Sequence, residues 1–128
     1  MLPLLRKGNL TEIDRENIAE ELGSMGRSEK RELVSHLTVL LMYLLKWQYQ
    51  PERRSRSWKT TINTQRLDIE LLIKDSPSLK HNIEIVLNEV YGKAKKLFEV
   101  ETNINHKKLP KDCPYGFDRV MDSEFWPD

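Results

Sequence analysis

The apolar spacing of this chain predicts an all-α fold. The expected form is an antiparallel bundle of three long helices, with a short N-terminal helix and an irregular, partly helical C-terminal tail. Three stretches place apolar residues in alternating steps of three and four, the spacing of one helix face. No strand-like alternation of comparable length competes with them. Prolines fall where one helical pattern stops and the next begins.

The elements follow in order. Asp14 is the expected N-cap of a short helix over about 14–24, with Ile18, Leu22 and Met25 on one side and Gly23 and Gly26 at its end. Ser28 then caps a second helix over 28–50, stopped by Pro51. Leu33, Leu37, Leu40, Leu44 and Trp47 form its stripe, and Val34, Leu41 and Leu45 widen it, so this helix should be central. A third helix is expected over 57–73, with Trp58, Ile62, Gln65, Ile69 and Leu72 along one side. Ser76 and Pro77 read as the cap and first-turn residue of a fourth, over 77–101, through Leu79, Ile83, Val86, Val90, Ala94 and Leu97. Short links at 51–56 and 74–76 make consecutive helices antiparallel. In the tail, 102–128, Pro110, Pro114 and Pro127 leave room for a helical turn or two near Phe117 to Met121. Phe117, Phe125 and Trp126 should pack that tail onto the bundle.

Length sets the expectation of one helical domain over 1–128, long enough to bury roughly 68% of its unfolded surface without disulfides or metals. A hydrophobic share of 38% beside a charged share of 32% fits a folded chain with solvated helices. Cys113 is the single cysteine, so no disulfide closes within the chain and a reducing, cytoplasmic setting is expected. No apolar run is long enough to span a membrane. Met1 to Leu5 is too short for the core of a signal peptide and is interrupted by Pro3.

The run Leu44-Leu45-Lys46-Trp47-Gln48-Tyr49-Gln50-Pro51-Glu52-Arg53-Arg54-Ser55-Arg56-Ser57-Trp58 resembles a family of small bacterial proteins catalogued as domain of unknown function 29. Similar matches occur at Leu10 through Glu21, Gly26-Arg27-Ser28-Glu29, Pro77-Ser78-Leu79-Lys80, Cys113-Pro114-Tyr115 and Phe125-Trp126-Pro127. The resemblance covers nearly the whole chain. It implies an all-helical fold without an assigned activity.

Net charge is only +1, but it is polarised. Glu12, Asp14, Arg15, Glu16, Glu20 and Glu21 together carry −4, whereas Lys46, Glu52, Arg53, Arg54, Arg56 and Lys59 carry +4. Asp112, Asp118, Arg119, Asp122, Glu124 and Asp128 bring the tail back to −4. The geometry expected of the bundle puts Arg53, Arg54 and Arg56 in the loop after the central helix, and Lys59 in the first turn of the next. Each cation at a helix N-terminus costs about 0.3–1 kcal/mol unless an anion compensates it. Phosphate is one such anion, held by guanidinium forks and unpaired amides. Trp47, Tyr49 and Trp58 stand beside these arginines, and aromatic faces next to guanidinium groups suit stacking on unpaired bases. Nucleic acid, RNA or DNA, is therefore one expected partner.

The competing reading is internal. Trp47 and Trp58 lie on the apolar seams and would then close one end of the bundle, with arginines braced against them. Glu99 and Glu101, delivered to the same end, would supply the counter-charge. A protein partner is a further class, since exposed arginine–aromatic patches are typical of interfaces. An enzyme is the last. Arg31 and His36 have the Arg-x4-His spacing of HEPN-like, all-helical ribonucleases, but five helical residues turn about 140°, so the pair would need a second chain, as in a homodimer. His81 has no ligand partner at helical spacing, and His106 with Cys113 supplies two ligands where zinc needs three or four, so no metal or cofactor is expected.

Overall fold

The computed structural model describes the backbone of residues 21–128 and side chains from Ser28 onward. Among the described residues the chain forms four α-helices and no strand: α1 (Glu21–Tyr49), α2 (Arg56–Asp75), α3 (Ile83–Thr102) and α4 (Phe117–Met121). Short 3₁₀ turns occupy Pro51–Arg53, Pro77–Lys80 and His106–Lys108. The chain divides into two units between Glu32 and Leu33. Of the first unit, the described part is the helical run from Glu21, on which Lys30, Arg31 and Glu32 are exposed. The second unit holds the three-helix core.

Two boundaries differ from expectation. The break expected at Gly23 and Gly26 is absent, and α1 is continuous from Glu21, so Ser28 is an interior helix residue. Isolated glycines cost a helix only about 1 kcal/mol each. The cap proposed at Asp14 lies outside the described residues. The helix expected from Pro77 begins instead at Ile83: Pro77 opens a 3₁₀ turn, and Asn82, at φ 58°, redirects the chain in the left-handed region before α3. Asn is among the few non-glycine residues that adopt this conformation readily.

The core follows the periodic stripes. Leu33, Leu37, Leu40, Leu41, Leu44 and Leu45 of α1 are completely buried. They meet Ile62 and Ile69 of α2 and Ile83, Val86, Leu87, Val90, Tyr91, Ala94 and Phe98 of α3. Leu97, expected in that stripe, is 37% exposed; the step after Ala94 is four, to Phe98. Contacts between α1 and α2 fix their direction. His36 Nδ1 meets Gln65 Oε1 at 2.6 Å, and the Tyr43 and Trp58 rings pack edge to face at 6.3 Å. Seven residues forward on α1 thus match seven backward on α2, the mark of antiparallel helices.

Ser55 sets where α2 begins. Its backbone is extended and its hydroxyl accepts the Trp58 N–H at 3.2 Å. Side-chain caps of this kind contribute on the order of 1 kcal/mol. Ser55→Ala is expected to lower stability by about that amount, read as a shift in the urea midpoint with unchanged slope.

The tail folds back as expected, with α4 at Phe117–Met121 and Phe117 buried. It is held largely through its backbone. Tyr91 Oη donates to the Pro110 carbonyl at 2.7 Å, and the Glu84 carboxylate accepts the Phe117 N–H. Tyr115 Oη donates to Gln48 Oε1. From α2, Arg66 Nε and Nη2 donate to the carbonyls of Val120 and Phe125 at 2.8 and 2.9 Å.

Candidate functional site

At the end of the bundle where α1 stops and α2 starts, Pro51 fixes the backbone of a single 3₁₀ turn, closed by Arg53 N–H to the Gln50 carbonyl at 2.9 Å. The turn and the extended Ser55 separate Arg53, Arg54 and Arg56 into different environments. Arg53 ends the turn and is exposed. Arg56, expected in the loop, is the first residue of α2 and is exposed, as is Lys59 one turn on. Arg54 turns inward. Its Nε donates to the Trp47 carbonyl at 2.8 Å and its Nη2 to the Pro127 carbonyl at 3.4 Å, with the guanidinium 5.0 Å from the Trp47 ring centre. Arg54 therefore caps the C-terminal turn of α1, where carbonyls lack helical partners, and ties the tail to it.

The aromatic residues divide in the same way. Trp47 is 8% exposed and packs on Trp126 at 4.8 Å between ring centres, so it braces Arg54 and is no outward stacking surface. Trp58 is half-buried. Tyr49 is exposed on one side and meets Phe98 edge to face. Two cations lie over the Trp126 ring, Lys59 Nζ at 5.7 Å and Arg66 at 5.3 Å, while Arg54 lies over its neighbour Trp47.

The expected internal counter-charges go elsewhere. Glu101 pairs with Lys46 at 3.1 Å, and Lys46, almost fully buried, lies over the Tyr43 and Trp58 rings at 4.4 and 5.0 Å. Glu99 binds His106 through both the backbone N–H and Nδ1. Among the described residues no carboxylate lies within ion-pair distance of Arg53, Arg54, Arg56 or Lys59. The first turn of α2 contains no acidic residue. Among the described residues, Arg56 and Lys59 thus stand at the positive pole of α2 with no carboxylate beside them, and Arg53 lies in the turn just before it.

The hydrogen bonds from His106 hold the Glu99 carboxyl below its ordinary range. A depressed carboxylate pKa adds stability that is present above the unfolded value, near 4.5, and is lost as pH falls through the folded one. Urea midpoints of the parent chain should drop below about pH 4.5 more steeply than those of Glu99→Gln. Identical pH profiles would remove Glu99 from the account.

A match to the model of the domain of unknown function DUF29 covers residues 1–126. The chain belongs to the DUF29 family. No curated protein and no solved structure matches it. The family carries no assigned activity, so function in this DUF29 chain rests on the site itself.

Other sites weighed from the sequence are occupied differently. His36 of α1 spends its Nδ1 on Gln65. Cys113 Sγ donates to the Tyr115 carbonyl, and burial pushes the thiol up, away from a reactive thiolate. Among the described residues no three His, Cys, Asp or Glu side chains gather as metal ligands, and no helix is long and apolar enough to cross a membrane.

Residues that sequence reasoning passed over are Arg66, Lys107 and Lys108, and Lys46 was counted there only in the basic cluster. Arg66 occupies a stripe position between Ile62 and Ile69, spaced four and three, where an apolar residue was expected; Gln65 took its place in that reading. A cation on a buried period was the available signal.

Proposed function

We propose that this DUF29 protein is a small helical accessory protein that binds the phosphate backbone of nucleic acid through Arg53, Arg56 and Lys59. The observation that carries the reading is that, among the described residues, no carboxylate pairs with these exposed cations, at a helix N-terminus whose dipole already disfavours them. A phosphate oxygen would relieve both the mutual repulsion and the dipole, and guanidinium groups are suited to grip it in pairs. Arg54 plays the structural part, holding the loop in place from below.

Fluorescence anisotropy with labelled single- and double-stranded oligonucleotides at about 50 mM salt tests the reading. Binding is expected, and Arg53→Ala combined with Arg56→Ala should weaken it. No binding at that salt would reject it.

A protein partner remains the second reading, favoured by Leu67 and Leu71, each 60% exposed and one turn apart on α2. Affinity capture separates the two. A protein partner held there should be lost on Leu67→Glu with Leu71→Glu, and nucleic-acid binding should not change.

A further inference from the structure

Beside the cationic face lies a cavity of about 310 Å³, within the size range of small-ligand sites. Arg53 lines both. The remaining walls are chemically mixed: Trp58, the Lys46–Glu101 pair, Thr102 and the amide residues Gln50 and Asn103. We propose that this cavity receives an unpaired nucleobase, which makes single-stranded nucleic acid the ligand class. The inference rests on the backbone-binding reading above and deepens it.

Phosphate itself is a poor occupant, because the Glu101 carboxylate lines the cavity and Lys46 is already neutralised by it at 3.1 Å. A neutral, planar group with both donors and acceptors fits better. Glu101 has a second oxygen to accept from an exocyclic amino group or ring N–H. The Gln50 and Asn103 amides make no hydrogen bond among the described residues and offer a donor and an acceptor each. The half-buried Trp58 ring, backed by Lys46 and set edge-on to Tyr43, supplies an aromatic wall. Asn103 holds the left-handed C-cap of α3 at φ 64°, so the chain turns sharply there. Three residues later the turn His106–Lys108 is pinned to the last turns of α3 by Glu99, and its Lys107 and Lys108 are exposed. Arg53 lines the cavity, Arg56 and Lys59 stand on the first turn of α2 beside its Trp58 in sequence, and Lys107 and Lys108 follow Asn103 by four and five residues. A strand whose phosphate meets Arg53 can drop the adjoining base into the cavity. A duplex must first break a pair and a stack to do so.

The test compares three labelled probes of equal length by anisotropy: a base-bearing single strand, an abasic deoxyribose-phosphate strand and a blunt duplex. The parent chain should bind the base-bearing strand about tenfold tighter than the abasic one, with the duplex near the abasic value. Gln50→Ala with Asn103→Gly, the glycine keeping the left-handed turn, should bring that ratio close to one and leave abasic affinity unchanged. Equal binding of abasic and base-bearing strands by the parent chain would overturn the cavity proposal while leaving backbone binding intact. So would a duplex that binds as tightly as the base-bearing strand, or a preference that survives in the variant. Failure of all three probes to bind would remove the backbone reading and the cavity proposal with it. The parent-chain comparison holds whether or not the variant folds.

Discussion

Replacing Arg66 by methionine is expected to destabilise the protein by about 3 kcal/mol and to lower its Tm by roughly 10 °C. Arg66 is 4% exposed in the middle of α2 and holds two tail carbonyls, those of Val120 and Phe125. Hydrogen bonds from a charged donor contribute about 1.5–3 kcal/mol each, and a buried carbonyl left without a donor costs about 1–3 kcal/mol. Two opposing effects reduce the sum. Burial disfavours the charged guanidinium and draws its pKa down, with Asp122 pulling the other way, and Nη1 is buried without an acceptor. Methionine removes both penalties and fills similar space, but it leaves two carbonyls orphaned, and that loss dominates. Arg66→Lys should fall between, since one ammonium cannot span both carbonyls as the fork does. Thermal unfolding followed by tryptophan fluorescence reads the effect, with Trp126 as reporter on the tail. A change within about 0.5 kcal/mol would mean that α2 and the tail are held by apolar packing alone.

That residue also marks where reading from sequence stops. The leucine stripe of α1 and the isoleucine and valine stripes of α2 and α3 were legible because burial demands a face of constant direction, and a face imposes a period. α4 was legible because Pro114 and the polar run after Met121 leave room for little else. Arg66 was not, since a buried cation is intelligible only once its acceptors are known, and they come from backbone more than fifty residues away. The start of α3 was misplaced because Ser76 and Pro77 carry a real first-turn signal that Asn82 overrides by turning left-handed. At the site, the aromatic and basic residues were visible, but their partners were not. Glu101 reaches Lys46, and apolar periodicity alone does not say which cation a polar position on α3 meets. Arg54 looked equivalent to Arg53 in the sequence. A backbone carbonyl at the end of α1 separates them.

The second large effect concerns ligand. If the proposed binding holds, Arg53→Ala with Arg56→Ala should weaken binding to a single-stranded oligonucleotide by about 10- to 100-fold at low salt, because each would remove one proposed phosphate contact. Neither side chain makes an ion pair or hydrogen bond among the described residues, so stability should change by less than about 0.5 kcal/mol. Arg54→Ala should do the reverse, costing stability through the Trp47 and Pro127 carbonyls with little effect on the salt dependence.

The dependence of affinity on salt therefore probes the cationic face most directly. Plotted as log affinity against log salt concentration, the parent chain should give a steep negative slope. The Arg53→Ala, Arg56→Ala chain should be flatter by about 1.4, the value for two phosphate contacts on a single strand. Equal slopes for the two chains would show that these arginines meet no phosphate, and the exposed cations would need another explanation.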